Sequence, residues 1–130
     1  MDQQVASSAE SPFKGKTGIR RIFNAFGYSL SGLRAAYKHE DAFRQEVWLA
    51  LALLPLAFFM PVGGTGKALM VASMLLVLIV ELINSAIEAA VDRVSLESHR
   101  LAARAKDIGS AAVLLSLLNV VVVWALIVFD

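Results

Sequence analysis

The chain has no cysteine in its 130 residues. That excludes disulfides, thiolate nucleophiles and cysteine-held metal centres at once. Proline is scarce, with 3 residues, and an excess of either charge is missing: 12 Lys and Arg stand against 11 Asp and Glu, for a formal net charge of +1. So even a balance gives no electrostatic case for nucleic acid, and no nucleic-acid partner is expected. Also missing is an N-terminal apolar run followed by a small-residue cleavage site, so no removed signal peptide is expected. What the chain has in quantity is apolar side chain, 58% of residues, with a mean hydropathy of +0.66. These residues are clumped rather than spread, which points to an integral membrane protein.

Three apolar blocks stand out. Ile108 to Phe129 carries no charge and matches the ~20 residues that cross a bilayer. Ala68 to Val91 is long enough only if Glu81, Asn84 and Glu88 are accepted within it. Trp48 to Val62 is short and contains Pro55 and Pro61, so by itself it fits a re-entrant segment as well as a span. Charge placement decides the matter. Lys14, Lys16, Arg20, Arg21, Arg34, Lys38 and Arg44 precede the first block, and Arg93, Arg100, Arg104 and Lys106 separate the second from the third. The connection "PVGGTGK" holds only Lys67. If both basic regions are cytoplasmic, an even number of crossings lies between them. The expectation is therefore three spans, over about 47–62, 68–91 and 108–129, with the N-terminus cytoplasmic and Asp130 outside.

Residues 1–17, "MDQQVASSAESPFKGKT", are polar and read as a disordered lead-in. After them Ile19, Ile22, Phe23, Phe26, Leu30, Leu33 and Tyr37 recur at three- and four-residue steps beside Arg20, Arg21, Asn24, Arg34 and Lys38. This periodicity predicts an amphipathic helix over about 19–38, lying on the membrane surface. The fold class expected is all-α and integral to the membrane, with residues 18–130 as one domain. "GGTGK" at Gly63–Lys67 is not a phosphate-binding loop. The glycine and the Ser or Thr that such a loop needs are Pro61 and Ala68 here.

The informative stretch is "VLIVELINSAIEAAVDR", Val77 to Arg93. At 100° per residue Glu81, Asn84, Ser85, Glu88 and Asp92 fall within an arc of roughly 100°. An ionised group deep in a bilayer costs at least ~2.5 to 3.5 kcal/mol. The stripe must therefore face protein, water or a ligand. Glu81 and Glu88 lie about 10 Å apart along the axis, too far to hold one small cation together, so they have separate tasks. Glu88, nearer the basic end, suits a metal carrying phosphates, and Glu81 suits a group on a molecule dissolved in the membrane. Helix–helix bonding through the same carboxylates, or a proton or ion pathway, fits the pattern too. Ser85, Ala86, Ala89 and Ala90 permit close helix approach and so favour an oligomer.

"GYSLSGLRAAYKHEDAFRQE" (27–46), "VELINSAIEAAVDR" (80–93) and "RAKDIGSAAVLL" (104–115) resemble, in order and spacing, the three motif blocks of the bacterial membrane-integral diacylglycerol kinase family. The resemblance covers nearly everything from Ile19 onward. It implies a homotrimer of three-span subunits with a surface helix in the bacterial inner membrane, phosphorylating a lipid hydroxyl with ATP and Mg2+ at sites between subunits. Residue by residue, it implies that Glu81 is the catalytic base and Asn84 an orienting group. It makes Glu40 and Glu88 the carboxylates that hold metal and nucleotide. Arg21, Tyr28, Glu97, His99, Lys106 and Asp107 become nucleotide contacts, and Ala25, Ser29, Arg34, Ser110 and Trp124 lipid contacts, with Glu81 also reaching the lipid. Asp107 equally suits a helix N-cap, Lys106 a snorkelling lysine and Trp124 an interfacial belt. Two departures bear on lipid preference: Leu30 stands where the family has tryptophan, and the polar lead-in is long. Undecaprenol is the alternative acceptor. A non-enzymatic assembly subunit and a small transporter are the alternatives outside kinases.

The absence of native cysteine makes the topology directly testable. Thr65→Cys should be labelled from outside intact cells by an impermeant thiol reagent and Ser98→Cys should not; the reverse pattern would contradict the orientation.

Overall fold

The computed structural model describes residues 17–94 and 99–130, with the side chain of His99 excepted. Glu97 and most of the polar lead-in lie outside the described residues. Within them the chain forms four α-helices and no strand: α1 Gly18–His39, α2 Asp41–Phe59, α3 Gly64–Val94 and α4 His99–Val128. The chain divides into two units, one ending at Arg34 and the other covering Ala35–Asp130.

In the second unit three helices are long and apolar enough to cross a membrane: Asp41–Phe59, Gly64–Val94 and Arg100–Val128. All three begin before the apolar blocks that signal them, α3 also runs past its block, and α2 stops at Phe59, short of the expected Val62. Hydropathy marks only the part bathed in lipid, whereas backbone hydrogen bonding runs on until something interrupts it. At 31 residues α3 is about 46 Å long, against a hydrocarbon core of about 30 Å. Its last turns, with Glu88 and Asp92, can therefore reach the headgroup region.

The interruptions have local causes. Glu40 alone separates α1 from α2, at φ −115° and ψ 108°. The Arg44 guanidinium folds back, donating to the Tyr37 and Lys38 carbonyls at 2.7 and 2.8 Å and pairing with Asp41. It thereby satisfies carbonyls that the end of α1 leaves open. Pro55 sits inside α2, which nonetheless continues to Phe59; Met60 N–H still reaches Leu56 O at 3.1 Å. Pro61 follows one residue later and, having no N–H to donate, cannot continue the helix. "GTGK" then forms the first turn of α3.

α3 is the central helix. It packs on both α2 and α4, whose backbones do not come close to each other among the described residues. Met70, Met74 and Val77 on α3 are fully buried, and Ala50 and Ala57 on α2 are small enough to let the backbones approach. Contacts at four heights fix α4 antiparallel to α3. A Cβ on Gly66 would touch Ile127 at 3.6 Å. The Trp124 indole N–H reaches Ser73 Oγ at 3.1 Å and Met70 O at 3.3 Å. Gly109 lies against Asn84, and Lys106 pairs with Asp92 at 2.6 Å. Elsewhere large apolar side chains point outward, among them Trp48, Phe58, Phe59, Leu115 and Phe129. Such a surface suits lipid or further helices, not water.

The Trp124 contact generates a test. Trp124→Phe keeps an aromatic side chain and deletes the interhelical N–H bond, so unfolding in mixed micelles should become easier by about 0.5–1.5 kcal/mol. An unchanged unfolding midpoint would mean the bond contributes nothing.

Candidate functional site

The polar stripe of α3 lies where α2 and α4 flank it. Burial falls along the stripe. Glu81 and Asn84 are 5% and 7% exposed, Glu88 is half-buried and Asp92 is open. α3 thus turns its deepest polar groups inward and frees its last carboxylates. The Asn84 Nδ2 group donates to Glu88 Oε1 at 3.4 Å, one helical turn on. This orients the carboxamide: a carboxylate only accepts, so the amide N–H faces Glu88 and the oxygen faces away. Asn84 Oδ1 is buried with no donor, as is Ser85 Oγ. An unsatisfied buried acceptor costs about 1–3 kcal/mol, so both atoms are candidates for bonds to a bound molecule.

α2 adds a carboxylate that sequence reasoning passed over. Glu46 is 8% exposed, lies near Glu81, and its Oε2 finds no donor. The signal was faint but present: Phe43, Glu46, Ala50 and Ala57, spaced by three, four and seven, form the buried face of α2. Glu40, at the head of the same helix, is half-buried and makes no side-chain capping bond. It has therefore not been spent on the helix it precedes.

From α4 come Lys106, Asp107 and Ser110. Lys106 is held at Asp92, with both side chains substantially exposed, a geometry worth little to stability but one that keeps a cation at the open end of the stripe. α4 has already run two turns when it reaches Asp107, so this residue is not an N-cap; it and Ser110 are exposed. Trp124 lies far along α4, its N–H engaged by α3. Gly109 is the other residue sequence reasoning missed. Gly in a helix interior costs about 1 kcal/mol relative to Ala, which is a hint that packing requires it. It lies beside Asn84 in a groove of about 150 Å3 lined by Val80, Ile83, Ile87 and Ala112.

In the first unit Arg21, Ala25, Tyr28, Ser29 and Arg34 are exposed on α1, and Ser29 Oγ donates to Ala25 O at 3.0 Å. Glu97 and the His99 side chain lie outside the described residues. No group of three or more His, Asp or Glu is arranged to hold a metal among the described residues. Oxygen donors in ones and twos are, however, the set expected for magnesium, which takes the rest of its shell from phosphates and water.

Chemically, this is a carboxylate at membrane depth, an amide and a second carboxylate a turn or two outward, and a cation at the mouth. Comparison with known proteins identifies the family. The family profile of prokaryotic diacylglycerol kinase matches residues 27–128. The chain is 58% identical to a diacylglycerol kinase of Pseudomonas aeruginosa over 90% of its length and 95% of the relative's. It is 48% identical to one of Haemophilus influenzae, over 87% and 96% of the two chains. With one of Escherichia coli K12 it shares 47%, over 88% and 93%. At this identity and coverage, the chain belongs to the prokaryotic diacylglycerol kinase family.

Proposed function

We propose that this chain transfers the γ-phosphoryl group of ATP to the hydroxyl of diacylglycerol, forming phosphatidic acid and ADP and returning the lipid to phospholipid synthesis. Family membership makes it a lipid kinase and a membrane protein, and its relatives carry the diacylglycerol kinase name. The observation that carries the mechanism is a carboxylate, Glu81, 5% exposed in the middle of a membrane helix. The lipid oxygen attacks the γ-phosphorus, the bond to the bridging oxygen breaks, ADP leaves, and the hydroxyl proton passes to the Glu81 carboxylate. Asn84 orients the site through its bond to Glu88. Glu40 and Glu88 would hold magnesium, whose charge offsets that of the phosphates when bound. Lys106, Asp107, Arg21, Tyr28, Glu97 and His99 would contact the nucleotide. Ala25, Ser29, Arg34, Ser110 and Trp124 would contact lipid, with Trp124 presenting its ring edge because its N–H is already engaged.

The working unit in this reading is a homotrimer in the bacterial inner membrane, N-terminus cytoplasmic and C-terminus outside. Supporting it are the small exposed residues Ala86, Ala89 and Ala90 on α3, which admit another helix closely. The outward-pointing Ile19, Ile22, Phe23 and Phe26 of α1 suit a surface helix seated among lipid headgroups.

Glu81→Gln tests the role of the base. It should lower turnover by about 10²- to 10⁴-fold, leaving the ATP concentration for half-maximal rate nearly unchanged, and the variant should assemble normally. A well-assembled variant with near-normal turnover would show that Glu81 does not take the proton.

A further inference from the structure

We propose that Gly109 is a positioning residue for phosphoryl transfer, acting through Asn84: the side chain it lacks is the slot in which the Asn84 carboxamide is held. The inference rests on the assignment of Asn84 to the active site made above. An ideal Cβ at Gly109 would collide with Asn84 Oδ1 and come within 3.3 Å of its Cγ. The other glycines behave differently. Gly18, Gly27, Gly32, Gly63 and Gly64 would meet nothing within 4 Å, and Gly66 only ordinary contacts of 3.4 Å and longer. Among the described glycines, only at Gly109 does a neighbour occupy the volume where a side chain would stand, and that neighbour is the amide of the catalytic stripe.

The carboxamide is confined from both ends. Its Nδ2 is drawn to Glu88, and its Oδ1 has no donor and rests against the Gly109 backbone. The helices on either side are tied together near this height by Lys106 and Asp92 at 2.6 Å, and farther along by Trp124 and Ser73 at 3.1 Å. A methyl group at position 109 would meet the far end of a flexible side chain, which yields before two packed helices part. The Asn84 side chain has to turn, and turning removes its N–H from Glu88. An alanine would normally favour a helix over glycine, so a loss at this position opposes the intrinsic propensity and needs a specific cause.

A double-mutant cycle in the purified, full-length assembly tests this, with phosphoryl transfer from ATP to diacylglycerol and the side-chain amide NMR signals of Asn84 as readouts. Gly109→Ala should lower kcat by about 10- to 100-fold, the usual effect of disturbing a group that orients a catalytic ligand, and should shift the Asn84 amide signals. In an Asn84→Ala background, where the slot is empty, adding Gly109→Ala should cost less than about twofold more, because the two changes act on one contact. Should Gly109→Ala fail to assemble, the Asn84→Ala/Gly109→Ala pair should restore assembly. Normal turnover with unmoved amide signals in Gly109→Ala, equal losses from Gly109→Ala in both backgrounds, or a double variant that still fails to assemble would each overturn the inference. If Asn84→Ala alone had full turnover, the assignment of Asn84 to the site would fall, and this proposal with it.

Discussion

A carboxylate on a membrane helix has a restricted choice of surroundings, and the architecture follows from that restriction. Exposed to lipid in its ionised form, each would cost at least ~2.5 to 3.5 kcal/mol. α3 carries Glu81 and Glu88 with Asn84 between them, so this face has to turn away from the hydrocarbon. It does so by taking the central place, with α2 on one side and α4 on the other. The flanking helices answer in kind. α2 turns Glu46 toward Glu81, and α4 offers the bare backbone of Gly109 to Asn84. Everything apolar that this arrangement does not need, from Trp48 to Phe129, is left on the outside.

The α3–α4 pair shows how a site can be held in a bundle whose buried core is small. Its four contacts differ in kind: a close approach at Gly66, an indole hydrogen bond at Trp124, a backbone-to-amide fit at Gly109 and an ion pair at Lys106. No one of them is strong, since interhelical hydrogen bonds in membranes average about 0.6 kcal/mol. Together they set a single register, and register decides which α4 residue meets which part of the stripe. Shifting α4 by one residue would replace Gly109 by Ile108 or Ser110, and either side chain would need the space that Asn84 occupies.

Much of this was legible in the sequence, for definable reasons. Apolar blocks and the placement of Lys and Arg announced three spans because lipid imposes composition directly. The stripe of Glu81, Asn84 and Glu88 was legible because helical geometry alone brings those residues onto one face. Helix lengths were not, because Asp41–Glu46 and His99–Asp107 are polar yet have nothing in them to end a helix. Glu46 and Gly109 left only faint signals and the Lys106–Asp92 pair none, because each depends on which helix lies opposite. Trp124 illustrates the same limit: nothing within α4 encodes that its N–H bonds to Ser73 of α3.

The central claim is that the buried carboxylate face serves phosphoryl transfer to a lipid hydroxyl. The most direct measurement supplies γ-labelled ATP and magnesium to the purified protein in mixed micelles holding diacylglycerol and undecaprenol in equal amounts, and identifies the labelled lipid after extraction. The account predicts label in phosphatidic acid. Label confined to undecaprenyl phosphate would contradict the substrate, and the absence of label from both lipids would contradict the reading of the face as a kinase site.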